Sequence, residues 1–314
     1  MRLRDLGDRL WSGLPLLSVP LALSFGAGCE DPLSLPQRIE DTRVLGARAE
    51  VQGRAGQAWA EPGETLDVSW LVVAPEGEPS DLSWRFEACL AAPVNAGPSE
   101  CVADVFATVV GQGAPAFQVT LPADTQQAPQ VALHGVVCRG SEASAGADEC
   151  RSGVSLPVGL NLGIAAEELR NELPSLGGVP IFLGDQPWGE PPATEPSDCG
   201  GDAALPRVKA KSTTTIRLEL GTVPRDELGE ERAGFDQIGD RETLEVDWYS
   251  DAGKLSTPVG FVEADDARAN PELEVAFEAP KLDAGEARWV RFYFVARDRR
   301  GGNDWQRRGL CVVP

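Results

Sequence analysis

Apolar and polar residues alternate over short runs through most of this chain. Leu45, Ala47, Ala49 and Val51 open the series, followed by Leu66, Val68, Trp70 and Val72, and then by Leu82, Trp84 and Phe86. A period of two places every second side chain on one face of a strand, so each run predicts a strand with one buried face. Phe117, Val119 and Leu121 continue the pattern, as do Val131, Leu133 and Val137, and then Val154, Leu156, Val158, Leu160 and Leu162. Pro62-Gly63, Pro75-Glu76-Gly77 and Gly111-Gln112-Gly113 separate the runs with turn chemistry. About seven strands with no helical period among them predict an antiparallel sandwich of immunoglobulin type over residues 43–162, with Trp84 at its centre.

The pattern then breaks. AAEELRNEL (Ala165 to Leu173) predicts two helical turns stopped by Pro174. The rest of 163–206 is rich in Pro, Gly and acids and reads as a loop-like interdomain linker, with Ile181, Phe182, Leu183 and Trp188 packing on a neighbouring domain. Alternation returns over 207–314, in Ile216, Leu218 and Leu220, in Leu244, Val246 and Trp248, in Leu273, Val275 and Phe277, in Val290, Phe292, Phe294 and Ala296, and in Leu310 and Val312. A second sandwich follows, with tight turns at Asp251-Ala252-Gly253 and at Arg299-Arg300-Gly301-Gly302-Asn303. ETLDVSW (64–70) and ETLEVDW (242–248) match by letter, but by strand order LEVDW corresponds to LSWRF (82–86). The expected fold class is all-β: two tandem antiparallel immunoglobulin-like β-sandwiches after a signal peptide and short tether.

The N-terminus has its own pattern: Arg2, Arg4 and Arg9, an apolar run from Leu14 to Phe25, then Gly26-Ala27-Gly28-Cys29. This is the grammar of an export signal over residues 1–28. The run is interrupted by Pro15 and Pro20 and is shorter than the ~20 apolar residues that cross a bilayer as a helix. The small residues ending on cysteine resemble the lipobox of bacterial lipoproteins, although Gly26 stands where leucine is usual. That resemblance implies acylation of the Cys29 thiol and a mature chain beginning there. Residues 29–42 are polar and proline-bearing and read as a tether, spanning at most ~45 Å.

Composition narrows the function. A net charge of −21 excludes nucleic acid as the expected partner, because phosphate binding needs a basic stripe. Seven cysteines are an odd number, and removing Cys29 leaves six for disulfides in an oxidising compartment. Cys89 and Cys101 bracket one loop, Cys138 and Cys150 another, and Cys199 with Cys311 would tie the second domain to its last strand. Pairing Cys89 with Cys138 and Cys101 with Cys150 is the alternative.

Catalytic chemistry has few candidates. His134 is the only histidine, no C-x-x-C pair exists, and neither a G-x-S-x-G elbow nor an H-E-x-x-H motif is present, so no catalytic residue and no zinc site is assigned. Calcium is the one cofactor with candidate ligands, namely Asp236, Asp240, Glu263, Asp265 and Asp266 in loops of the second sandwich. Arg297, Arg299 and Arg300 beside Asp298 read as a turn held by local charge pairs, with a recognition tip as the alternative.

RVLGARAEVQG, PGETLDVSW, a cysteine soon after LSWRF, and LEVDWYSDAG with VRFYFVARDRRGGNDW together resemble a set of surface lipoproteins of myxobacteria and similar Gram-negative bacteria. Those proteins are built from immunoglobulin-like or PKD-like sandwiches. The resemblance spans nearly the whole mature chain and implies fold and location, at the outer membrane or cell surface with the periplasmic face as the alternative. It assigns no residue a task. The expected function is a lipid-anchored structural or binding (adhesion or interaction) module and not an enzyme, held to the membrane by its N-terminal lipid and meeting an envelope protein or polysaccharide. The alternative is an exported hydrolase with a cryptic carboxylate site.

Overall fold

A computed structural model describes residues 35–92, 99–125, 129–144, 149–165, 170–192, 194–196, 199, 205–227 and 241–314. Cys29 and the export segment lie outside the described residues, as do Asp236 and Asp240. Residues Ser34–Pro314 form one compact unit.

The described residues are all-β. In chain order the strands are β1 (Arg43–Val51), β2 (Thr65–Val73), β3 (Leu82–Ala91), β4 (Ala107–Gln112), β5 (Ala116–Thr120), β6 (Gln130–Arg139) and β7 (Val154–Gly163), then β8 (Ile181–Leu183) and β9 (Gln186–Pro187). They continue with β10 (Arg207–Lys209), β11 (Thr213–Glu219), β12 (Leu244–Ser250), β13 (Lys254–Leu255), β14 (Val259–Val262), β15 (Glu272–Glu278), β16 (Arg288–Arg297) and β17 (Asn303–Val313).

In the first sandwich a sheet ordered β1-β2-β5 faces a sheet ordered β4-β3-β6-β7. The alternating residues meet between them. Leu66, Val68, Trp70 and Val72 of β2 share one core with Leu82, Trp84 and Phe86 of β3 and with Val131, Leu133 and Val137 of β6. Trp70 stacks on Phe86 at 5.1 Å and Trp84 meets Phe117 at 5.4 Å, contacts typical of aromatic packing. The fourth strand pairs with the third and not with the fifth, so this immunoglobulin-like plan is three strands against four.

The second sandwich repeats that plan. β8-β11-β15 matches β1-β2-β5, and β14-β12-β16-β17 matches β4-β3-β6-β7. β12 therefore occupies the place of β3, as strand order predicts for LEVDW and LSWRF, and Trp248 is wholly buried there. Three short strands are added: β9 on β8, β13 on β15, and β10 on β17. The β10–β17 pairing is parallel, a departure from the expected purely antiparallel sandwich.

Two expectations about residues 163–206 need correction. First, the stretch read as linker carries β8, the opening strand of the second sandwich, and Leu176, Val179, Ile181 and Trp188 belong to that sandwich's core. Second, of the helix expected over 165–173, residues 166–169 lie outside the described residues and the described ends are extended. Ala165 N–H donates to the Ala60 carbonyl, Glu172 bridges Gln57, and Leu173 N–H donates to the Gly56 carbonyl. Burial of Ala165 and Leu173 against Ala58 and Trp59 decides this conformation over local helix propensity.

The two sandwiches pack sheet face to sheet face. Leu45, Leu71 and Val73, on the outward faces of β1 and β2, form a third core with Ile39, Tyr293 and Val295, joined by Tyr249 and Trp305. This corrects the expected tether over 29–42: its described part, from residue 35, docks on the second sandwich, where Arg38 bridges Ser250, Ile39 N–H donates to the Ser250 carbonyl and Gln37 and Ile39 are buried. Gly46 sits at a bulge in β1, and a Cβ there would stand 3.2 Å from Val295. Arg48 pairs with Asp304 at 2.8 Å across the same junction, and Arg297 donates to the Leu45 carbonyl.

Candidate functional site

One carboxylate shapes the β16–β17 hairpin. Asp298 is 2% exposed and accepts the backbone N–H of Arg300 at 2.7 Å, the N–H of Gly302 at 2.9 Å and the side-chain amide of Asn171 at 2.7 Å. A Cβ at position 302 would stand 2.0 Å from an Asp298 oxygen, so the loop closes on the carboxylate only because that residue is glycine.

This closure turns Arg300 back into the protein, where it is 3% exposed. Its guanidinium lies over the Trp59 ring at 4.5 Å, a cation–π contact from one sandwich to the other. Nη1 bonds Asp226 at 3.1 Å and also Glu242, while Nη2 donates to the Arg170 carbonyl at 2.8 Å. The Trp59 indole N–H returns a bond to the Arg300 carbonyl at 3.0 Å. First sandwich, connecting stretch and second sandwich thus converge on one cation.

Asp226 and Glu242 contact that guanidinium, and Asp298, bonded to the Arg300 backbone, feels its charge. Burial, and then the charge of Asp298, push the Glu242 carboxyl up to about 7, with Arg300 opposing the shift. Burial pushes Asp298 up to about 6 against the pull of its N–H donors. Carboxyls that titrate near neutrality often mark functional sites. Glu242 and Asp298 are 1% and 2% exposed, however, so the two shifted carboxyls can clamp the sandwiches and exchange a proton but are closed to a substrate.

The other predicted positions are placed as follows. Cys89 bonds Cys101, Cys138 bonds Cys150 and Cys199 bonds Cys311. Cys89 lies opposite Ala132 while Cys138 lies opposite Ser83, so Cys89 and Cys138 occupy opposite ends of the β3–β6 ladder, about 20 Å apart at ~3.3 Å per residue. His134 sits half-buried opposite Glu87, 3.6 Å from its carboxylate. Its ring and the Cys89 and Cys101 sulfurs lie within 4.8 Å of one another, but the sulfurs are bonded together and present no thiolate.

The calcium candidates do not converge as ligands among the described residues. Both oxygens of Asp266 are taken by Arg268, which holds this carboxyl down to about 2. Glu263 and Asp265 are exposed. The arginine turn is also corrected in part, since its partners are distant in sequence. Arg297 pairs with Asp247 and Arg299 with Glu245 across the sheet, while Arg300 reaches Asp226 and Glu242. The roles of Trp59, Asn171, Asp226 and Glu242 carry no local sequence signal. The Arg-Arg-Gly-Gly turn was the one visible hint.

No protein-family model and no curated protein sequence matches the chain. Among solved structures, the D0-D1 domain of intimin overlaps 86% of this chain and 99% of its own, at 11% identity and a TM-score of 0.21. Red sea bream transglutaminase overlaps 87% of this chain at 10% identity and a TM-score of 0.24, the match spanning 32% of that enzyme. At these scores neither overlap defines a shared arrangement.

Proposed function

We propose that this chain is a lipid-anchored envelope protein whose folded body serves as a structural or binding module and not as an enzyme. The observation that carries the reading is the fate of the cysteines. Six of the seven are consumed in three disulfides within the body, and the remaining one, Cys29, ends the lipobox-like stretch. Disulfide pairing fits an exported location, and likeness to the myxobacterial-type surface lipoproteins points the same way. The non-catalytic reading draws support from the buried acids, because the carboxyls pushed toward neutrality are the ones shut away from solvent. An envelope protein or polysaccharide is the class of partner.

Metabolic labelling with a fatty acid in an exporting Gram-negative host tests the anchor. The full chain is expected to take up label and fractionate with membranes, and Cys29→Ser to do neither. An unlabelled full chain beside a labelled control lipoprotein would contradict the proposal.

A further inference from the structure

Between the turn after β2, the residues Pro191, Pro192 and Glu195, and the outward face of β16 and β17 lies a groove of about 350 Å³. That is within the ~300–1,000 Å³ of small-ligand sites. Three aromatic residues line it, Trp289, Phe292 and Tyr293, and of these Phe292 is wholly buried in the core of the second sandwich. Trp289 lies flat over Gly309, whose Cβ, if present, would stand 2.0 Å from the indole, and the ring is only half-buried. Tyr293 is 3% exposed and held in the core between the sandwiches, yet its hydroxyl has no hydrogen-bond partner among the described residues. Burial raises its pKa, so it stays a neutral donor.

The acids of the groove are individually neutralised. Glu78 pairs with Arg307, Glu76 with Arg139, and Glu195 with Arg291. Glu78 uses one oxygen in its pair, which leaves a second oxygen able to accept, whereas the Glu76 carboxylate takes a backbone N–H besides Arg139. Arg308 also lines the groove without a carboxylate partner among the described residues, but its Nε and Nη1 are spent on the Trp188 and Arg307 carbonyls and the Gln306 amide oxygen, and a body of net charge −21 repels anionic ligands at long range. The chemistry that remains is a flat apolar ring face, one unpartnered hydroxyl and a spare carboxylate oxygen. A pyranose sugar complements all three, since its C–H face is apolar and its rim carries hydroxyls that both donate and accept.

We infer that this groove binds a neutral hexopyranose chain. The inference rests on the binding-module reading and deepens it: Trp289 stacks on a sugar ring, the Tyr293 hydroxyl donates to the sugar, and Glu78 accepts from its hydroxyls.

The test is isothermal titration of the full chain, held in a sugar-free detergent, with maltohexaose, cellohexaose, laminarihexaose and chitohexaose in turn. At least one is expected to give a saturable isotherm that weakens tenfold or more in Trp289→Ala and in Tyr293→Phe. The second variant removes a single hydroxyl, so it keeps the test decisive if the first fails to fold. No isotherm with any of the four, or binding unchanged in Tyr293→Phe and in Glu78→Ala, overturns the assignment. Capture of an envelope protein by a chain that binds no saccharide would leave the binding-module reading standing while the glycan site falls.

Discussion

At the residue scale, the decisive grouping is Arg300 with Asp226, Glu242 and Asp298. Removing the Glu242 and Asp298 charges from water is costly beyond what the Arg300 guanidinium offsets, so the cheapest state holds a proton near neutrality. The folded-state pKa values of Glu242 and Asp298 are raised to about 7 and about 6. Between the unfolded carboxyl range near ~4 and those values, the folded chain binds protons that the unfolded chain has released. The stability these groups lend is therefore complete at low pH and is lost as pH rises through about 7. Asp266, held down to about 2, acts in the opposite sense and matters only in acid. The melting temperature is expected to fall between pH 5 and pH 8, and Glu242→Gln to flatten that slope. Melts of the two proteins across this range check it, and parallel slopes would remove Glu242 from the account.

At the element scale, tryptophan over glycine recurs as a packing device. Trp84 covers Gly111 on the neighbouring strand, Trp59 covers Gly163 and Trp289 covers Gly309. A Cβ at Gly111 would stand 2.2 Å from the Trp84 ring. Gly111→Ala is therefore expected to cost about 1–3 kcal/mol by overpacking, read as a shift in denaturant midpoint. Gly189→Ala, where a Cβ meets nothing within 4 Å, is the silent control. Long strands such as β2, β3 and β16 were legible in the sequence because period-two alternation survives over seven or more residues and a one-sided core reads it out. β8 has three residues, too few to show a period, so the start of the second sandwich reads as linker in the sequence. β4 was also hard to see, since its exposed Thr108 and Val110 alternate with residues that are only half-buried. Trp188 was the better clue in the linker, because an indole needs a core to enter. The Arg300 cluster was legible only as a turn, since its acids come from positions 58 and 74 residues away.

At the scale of the whole molecule, the chain uses one strand plan twice and then joins the two copies. The joint has an apolar centre around Leu71, Val73, Tyr293 and Val295, and an ionic clasp at Arg300. Tandem domains joined only by a tether move independently by default, and an interface must be apolar and well filled to prevent it. Here the side chains that would otherwise be solvent-facing residues of β1, β2 and β16 are buried, Val73 and Val295 completely. A rigid body of this kind suits the proposed surface module, which would present the proposed groove in a fixed orientation. The most direct measurement is differential scanning calorimetry of the disulfide-intact protein. The account predicts a single reversible transition whose van't Hoff and calorimetric enthalpies agree, and a split into two transitions when Val295→Asp places a charge in the joint. Two separately melting transitions in the unaltered protein would contradict it.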